Sequence, residues 1–156
     1  MERKSASLSP LMIVVVAMVI GLVAFTAVSL AMGGVRKDPE TARVLLLAGV
    51  ALGVGQIVMY VAVRATTLAK LRRKYAERGS DEDLETFLMP GMMQLTIIGA
   101  AMAEGWGLFG VVIHLVTGEK LALAVPAIAL VLLVLRIPTR DRQAQFISNV
   151  IGRPWP

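Results

Sequence analysis

The chain is dominated by apolar runs long enough to cross a lipid bilayer, and these runs limit its fold more than any other feature. They lie at about residues 11–32, 44–64, 92–117 and 121–136, separated by polar stretches. A membrane-spanning helix needs about 20 predominantly apolar residues, and its backbone groups must bond within the helix. The sequence therefore predicts an all-α, polytopic membrane protein with four transmembrane helices.

Two short turns predict that these helices pair as two antiparallel hairpins. The turns cover residues 33–41 and 117–120 and contain residues that break helices. The first run ends near small residues, so a cleaved secretory signal is the alternative to a first span. A signal's apolar core is only about 7 to 15 residues long, and we therefore expect a retained span. The fourth run is short and contains Pro126, so a re-entrant segment is the alternative to a fourth span.

A cytoplasmic helical linker at residues 65–90 is predicted to join the hairpins and to continue the second helix. Its apolar side carries Leu68, Leu71 and Tyr75. Its basic side, here called the basic collar, consists of Lys70, Arg72, Arg73 and Lys74. Basic residues near a membrane attract anionic lipid head groups by about 1 kcal/mol each. The alternative is that these residues only set the orientation of the protein.

Local signals predict where the remaining helices begin and end. Gly79 is expected to end the second helix, Ser80 to cap a short acidic helix, and Pro90 to open the third span. A last amphipathic helix is expected within residues 139–152, capped by Thr139, ended by Gly152 and carrying Phe146, Ile147, Val150 and Ile151 on one side. It is expected to lie on the membrane surface or on the amphipathic extension of the second helix.

The distribution of Lys and Arg predicts that both termini are cytoplasmic. Twelve of the 16 basic residues lie in or beside the N-terminal stretch, the linker and the tail, and four lie in or beside the two turns. Cytoplasmic segments of membrane proteins carry the excess of Lys and Arg. We therefore expect an integral protein of the cytoplasmic (inner) membrane.

Glu104 is the strongest functional candidate because it is an acidic residue in the middle of the third apolar run. A charged side chain at the bilayer centre costs about 2.5 to 3.5 kcal/mol on insertion scales, so such residues face a bundle interior or an ion path. A dry site favours the neutral carboxyl, and a wet or hydrogen-bonded site keeps it ionised. The sequence is compatible with both.

Helical periodicity divides the third run into two faces. The face of large residues is predicted to contact lipid and consists of Leu95, Ile98, Met102, Trp106, Phe109 and Ile113. The face of small residues is predicted to contact neighbouring helices and includes Gly99, Ala103, Gly107 and Gly110. Small residues let helix backbones approach closely in a bilayer.

The second run carries a similar face of small residues, in which Gly49 and Gly53 lead to Gln56. Their spacing places all three on one side of a helix. At 1.5 Å per residue, Gln56 and Glu104 lie at comparable depths in the membrane. We therefore hypothesise a hydrogen bond from the Gln56 amide to the Glu104 carboxyl.

The composition argues against several functional classes. The chain has no cysteine and one histidine, which gives no basis for a disulfide, a thiolate metal site or a histidine metal site. No nucleophile is paired with a base, so we expect neither catalytic residues nor a cofactor, and the chain is predicted not to be an enzyme. The net charge of +5 does not predict a nucleic-acid partner, because the basic residues flank membrane segments.

Residues 99–118, GAAMAEGWGLFGVVIHLVTG, resemble the carboxylate-bearing helix of the rotary-ATPase proteolipid, subunit c. This resemblance implies that Glu104 binds and releases a proton or Na⁺ in a ring of chains. The Thr-Ile-Ile start of the third helix, the Ala-Glu-Gly step, the Thr-Gly turn and the Arg-Ile-Pro-Thr-Arg exit are similar to a family of small bacterial four-helix membrane proteins of unassigned function. The second resemblance implies a bacterial membrane protein.

From these features we expect a structural or accessory protein that packs with itself or with a partner membrane protein through its small-residue faces. Glu104 would be a buried polar contact between helices. The alternative is a proton- or cation-coupled transporter, or a proteolipid-like subunit, in which Glu104 is the ion-binding carboxylate. The other expected partners are the lipid bilayer and its anionic head groups.

Overall fold

The protein is helical throughout the residues described by its structure, a computed structural model covering residues 9–33, 39–78 and 84–154. Within these ranges the α-helices are α1 (Ser9–Met32), α2 (Pro39–Arg78), α3 (Leu84–Thr117), α4 (Ala124–Val134) and α5 (Arg140–Ile151). One short 3-10 helix, Lys120–Leu123, leads into α4. The predicted all-α fold is confirmed for this part of the chain. The boundaries predicted at Gly79 and Ser80 lie outside it.

Three helices, α1, α2 and α3, are each long and apolar enough to cross a membrane, and the apolar segment Lys120–Val134 is shorter. α2 has 40 residues, which is about 60 Å of helix, or twice the thickness of a bilayer core. It therefore continues well past the apolar run, as the sequence predicts. The outer surface of the long helices is apolar, with Ile13 67% and Ile57 65% exposed.

α3 lies at the centre of the fold. α1 and α4 pack on one side of it, α2 packs on another, and α5 packs on α2 and α3. The main core joins α1, α3 and α4 through Val15, Leu22, Ala100, Ala103, Val111, Ala129 and Leu133. α1 makes its main contacts with α3 and α4, and α2 makes its main contacts with α3 and α5. Neither of these two helices has the other as a main partner.

The predicted helix break at Pro90 is wrong, because α3 begins at Leu84 and continues through the proline. Proline removes one helical N–H bond and disfavours the helix, so packing must compensate. Leu84 and Leu88 precede the proline and are buried with Ile147 of α5. This tertiary contact holds the first turns of α3 in line with the rest of the helix.

A second core lies where α5 meets the C-terminal part of α2. It contains Ile147 and Val150 of α5, with Leu68, Leu71 and Tyr75 of α2 packed against it. The tail therefore covers the apolar side of the α2 extension, one of the two places predicted for it.

The ends of α5 follow their local signals. The Thr139 hydroxyl accepts a hydrogen bond from the Arg142 N–H at the start of α5, and Gly152 ends the helix in the left-handed conformation with φ 74°. Threonine is a favoured residue at the N-cap of a helix, and glycine is favoured where the chain leaves a helix in the left-handed conformation.

The turn from α3 to α4 is closed by hydrogen bonds within a few residues. Gly118 has φ 69°, and its N–H donates to the His114 carbonyl at 2.7 Å. The Thr117 hydroxyl donates to the Ile113 carbonyl at 2.7 Å and accepts from the Glu119 N–H at 3.2 Å. His114 is buried in this turn, with its Nδ1 3.2 Å from the Glu119 carbonyl oxygen. The turn directs α4 back along α3.

Candidate functional site

Glu104 is partly buried in the middle of α3 and lies beside α1. A Cβ added at Gly21 of α1 would lie 3.7 Å from Glu104 Oε1, so Gly21 leaves room for the carboxyl. Among the described residues, Glu104 forms neither a hydrogen bond nor an ion pair. Its carboxyl is therefore free to bind a group from outside this part of the chain.

The predicted hydrogen bond between Gln56 and Glu104 is not formed. α2 contacts α3 at Trp106, whose Nε1–H donates to the Gly49 carbonyl at 2.9 Å. Two residues along a helix correspond to a rotation of about 200°, so Trp106 and Glu104 point to opposite sides of α3. Gln56 is partly buried on α2, whereas the carboxyl lies on the α1 side.

Three of the large side chains of α3, those of Trp106, Phe109 and Ile113, pack on α2, and for these three the prediction of lipid contact is wrong. A Cβ added at Gly49 would lie 3.5 Å from Phe109 and 3.2 Å from Ile113, and one added at Gly53 would lie 2.8 Å from the Trp106 ring. The periodicity identified this face, but periodicity does not tell which neighbour it meets. Large side chains fit into the space that the glycines leave on α2.

The small residues of α3 predicted for helix packing are buried within the chain: Gly99, Ala103, Gly107 and Gly110. A Cβ added at Gly107 would lie 2.8 Å from the Cβ of Ala129, and one added at Gly110 would lie 2.9 Å from Pro126 Cδ. Close approach of α3 and α4 therefore requires glycine at these positions. These small residues are occupied by contacts inside one chain.

One stripe of α3 remains exposed, and it is called the open strip: Ile97, Ala101, Gly105 and Val112. These residues lie about 20° to 100° around the helix from Glu104, between the sides occupied by α1 and α2. A Cβ added at Gly105 would meet nothing within 4 Å. Glu104 therefore lies between α1 and an uncovered apolar surface.

The basic collar divides into residues that have partners among the described residues and residues that have none there. Arg72 donates from Nε and Nη2 to the Asn149 carbonyl of α5, at 3.1 and 2.7 Å. Arg73 forms an ion pair with Glu77 at 3.0 Å. Lys70 and Lys74 are exposed and line an open depression of about 630 Å³. The proposed binding of lipid head groups by the collar stays a prediction, and Arg72 has a structural contact in addition.

A second candidate site, which the sequence pattern did not predict, is an open depression that is here called the arginine cavity. It has a volume of about 260 Å³ and is lined by Arg64 of α2, Arg136 after α4, and Arg142 of α5. Its walls also include Gln145 and Asn149. None of the described residues that line it is acidic.

Arg136 is held in place by two neighbours. Its guanidinium lies over the Tyr60 ring, with 4.0 Å from Cζ to the ring centroid. A Cβ at Gly99 would overlap this guanidinium, so glycine is needed beneath it. Stacking on an aromatic face contributes about 0.5 to 1 kcal/mol at exposed sites and more when water is excluded.

Part of this cavity was visible in the sequence, since Arg64 and Arg136 each follow an apolar run whose end is predicted to be cytoplasmic. The fold of α5 back onto α2 was the missing information, because it brings Arg142 to the other two. Among the described residues, no three His, Asp or Glu side chains are grouped as a metal ion would require.

The described residues thus define an all-helical protein with helices suited to a membrane, an unpaired carboxyl in mid-helix and an arginine-lined cavity. No protein-family model, curated protein or solved structure matches the chain.

Proposed function

We propose that the chain is a small integral membrane protein of structural or accessory type, which binds another membrane helix along the open strip. It crosses the cytoplasmic membrane of a bacterium four times and keeps both termini in the cytoplasm. The observation that carries this proposal is Glu104, a partly buried carboxyl at the edge of the open strip with no partner among the described residues.

The physical reason is the cost of leaving a polar group unsatisfied in an apolar environment. Hydrogen bonds between membrane helices contribute about 0.6 to 2 kcal/mol. Ala101 and Gly105 are small and exposed, so a second backbone can approach close to the carboxyl. The open strip therefore offers close packing and a polar contact at the same depth.

A second copy of the chain is the simplest occupant of the open strip. In a two-fold symmetric dimer the same surface of both chains meets, so equivalent residues can face each other. A protonated carboxyl both donates and accepts a hydrogen bond, so two Glu104 side chains can bond to each other. A helix of a different protein needs a separate polar residue at this depth.

Cross-linking tests this assembly, because the chain has no natural cysteine. Gly105→Cys should form a disulfide-linked dimer in membranes under mild oxidation. Val58→Cys is the matched control, since Val58 is 64% exposed and lies about 180° around α2 from Gly49. A Gly105→Cys cross-link to a different protein would identify a partner as the occupant. No more cross-linking than in the control would exclude assembly through the open strip.

The unpaired carboxyl also favours a second function, in which Glu104 is the ion-binding group of a proton- or cation-coupled transporter or proteolipid-like subunit. Two substitutions separate the functions. Glu104→Gln keeps a hydrogen-bonding group but does not titrate, so it should preserve assembly, whereas Glu104→Leu should weaken it about 3- to 30-fold. Ion coupling would be lost in both variants, measured as proton or Na⁺ flux in proteoliposomes.

A further inference from the structure

We infer that the arginine cavity binds the phosphate group of an anionic ligand. The ligand class is a phosphate ester or inorganic phosphate, and its two sources are the head group of an anionic phospholipid and a soluble phosphate compound. The cavity lies apart from the open strip, so this binding does not depend on Glu104 or on assembly.

The charge of the cavity is the first support. Arg64, Arg136 and Arg142 line one volume of about 260 Å³, and no acidic side chain among the described residues lines it with them. Three like charges in a shared cavity repel one another, and a phosphate removes that repulsion. The planar fork of a guanidinium matches phosphate oxygens with two parallel hydrogen bonds.

The size of the cavity is the second support. A volume of about 260 Å³ far exceeds the ~10 to 15 Å³ that holds one water molecule by the same measure. Gln145 and Asn149 belong to the same lining, and a side-chain amide can donate to the remaining phosphate oxygens.

The fixed position of Arg136 is the third support. The Tyr60 ring contacts the flat face of the guanidinium at 4.0 Å, so the N–H groups at its edge stay free for a ligand. Gly99 provides the space in which the group lies. A side chain held in place before binding loses less conformational entropy when the ligand arrives.

The arginines of the basic collar differ from those of the cavity in having hydrogen-bonding partners for their guanidinium groups among the described residues. Arg72 is bonded to the Asn149 carbonyl and Arg73 to Glu77, whereas the arginines of the cavity have no carboxylate partner among the described residues. Apolar residues, including Leu95 and Phe146, complete the cavity wall and suit the glycerol and upper acyl chain of a lipid. The lipid source rests on the proposed membrane location, and the phosphate site itself does not.

The test uses the purified full-length protein in a neutral detergent and measures binding by native mass spectrometry. One titration uses phosphatidylglycerol with phosphatidylcholine as the neutral lipid, and the other uses inorganic phosphate. Each is repeated with Arg64→Gln, Arg136→Gln and Arg142→Gln. Arg43→Gln is the matched control, because Arg43 is exposed near the N-terminal end of α2. This substitution removes the same charge at a residue that does not line the cavity.

We expect one phosphate-bearing ligand per chain. Arg136→Gln should weaken its binding at least tenfold and Arg43→Gln less than twofold. Phosphatidylglycerol bound at least tenfold more tightly than phosphatidylcholine identifies the lipid source, and saturation by inorganic phosphate with the same dependence on the cavity arginines identifies the soluble source. Both results support the site.

Equal binding by the three cavity variants and Arg43→Gln, in both titrations, would overturn the inference. Arg64 and Arg142 are exposed, so their substitution leaves the fold intact even if Arg136→Gln disturbs it. Gly99→Ala is a further check, because it displaces the Arg136 guanidinium without changing any charge. It should also weaken binding, and unchanged binding in a folded Gly99→Ala variant would contradict the role of a fixed Arg136.

Discussion

Gly53 shows at the scale of single residues how a missing side chain decides where α2 docks. The Trp106 ring occupies the space that a Cβ at Gly53 would need, with a separation of 2.8 Å. The indole then reaches the Gly49 carbonyl with its N–H. The contact between α2 and α3 therefore depends on both the glycines of α2 and Trp106 of α3.

Gly53→Ala should therefore destabilise the protein by about 1 to 3 kcal/mol, the usual cost of overpacking a core. Gly55→Ala is the control, because a Cβ at Gly55 meets nothing within 4 Å, and alanine is about 1 kcal/mol better than glycine inside a helix. The measurement is the free energy of unfolding in mixed micelles. Equal effects of the two substitutions would show that Trp106 does not dock at Gly53.

Gln56 and Glu104 should behave as independent residues. They face different neighbours, so the effects of Gln56→Leu and Glu104→Gln on the free energy of unfolding should add within about 0.5 kcal/mol. The test is a double-mutant cycle on the monomer in detergent. A coupling above about 1 kcal/mol would mean that the two side chains meet, as the sequence first suggested.

At the scale of elements, Arg72 ties α5 to α2. Two of its N–H groups bond to the Asn149 carbonyl near the C-terminal end of α5, where the helix leaves carbonyls unpaired and a positive charge is favourable. The packing of Ile147 and Val150 on the apolar side of α2 gives the remaining attachment.

Arg72→Gln should loosen α5 by about 0.5 to 1.5 kcal/mol, the usual contribution of a hydrogen bond. Hydrogen exchange of the α5 amides measures this and should be faster by roughly 2- to 12-fold. Arg73→Gln is the control on the same helix, because its ion pair with Glu77 joins side chains that are 84% and 63% exposed and such pairs contribute little. Identical exchange in both variants would exclude Arg72 as an attachment of α5.

The sequence predicted what depends on short-range pattern. The apolar runs, the Thr139 cap, the Gly152 end and the apolar stripe of α5 follow from residues within one or two turns of each other. It did not predict which side of α3 meets α2, or that α3 passes through Pro90, because both depend on contacts between distant elements. The arginine cavity was missed for the same reason, since its residues come from three separate segments.

At the scale of the whole molecule, the proposed topology predicts which exposed residues can be labelled from outside the cell. The chain has no cysteine, so a single one can be introduced at Glu119, in the turn before α4, or at Ala76, near the end of α2; both positions are exposed. A membrane-impermeant maleimide should label Glu119→Cys in intact cells and Ala76→Cys only after lysis. Labelling of both in intact cells would contradict the proposed orientation.

The central position of α3 has a consequence for how the protein is made. α1 and α2 leave the ribosome first, yet their main partner α3 follows them in the chain. At typical translation rates this delay is on the order of 10 s. In the proposed membrane topology the two early helices persist separately in lipid during this delay, which their apolar surfaces allow, and the folded arrangement forms only once α3 has been inserted beside them.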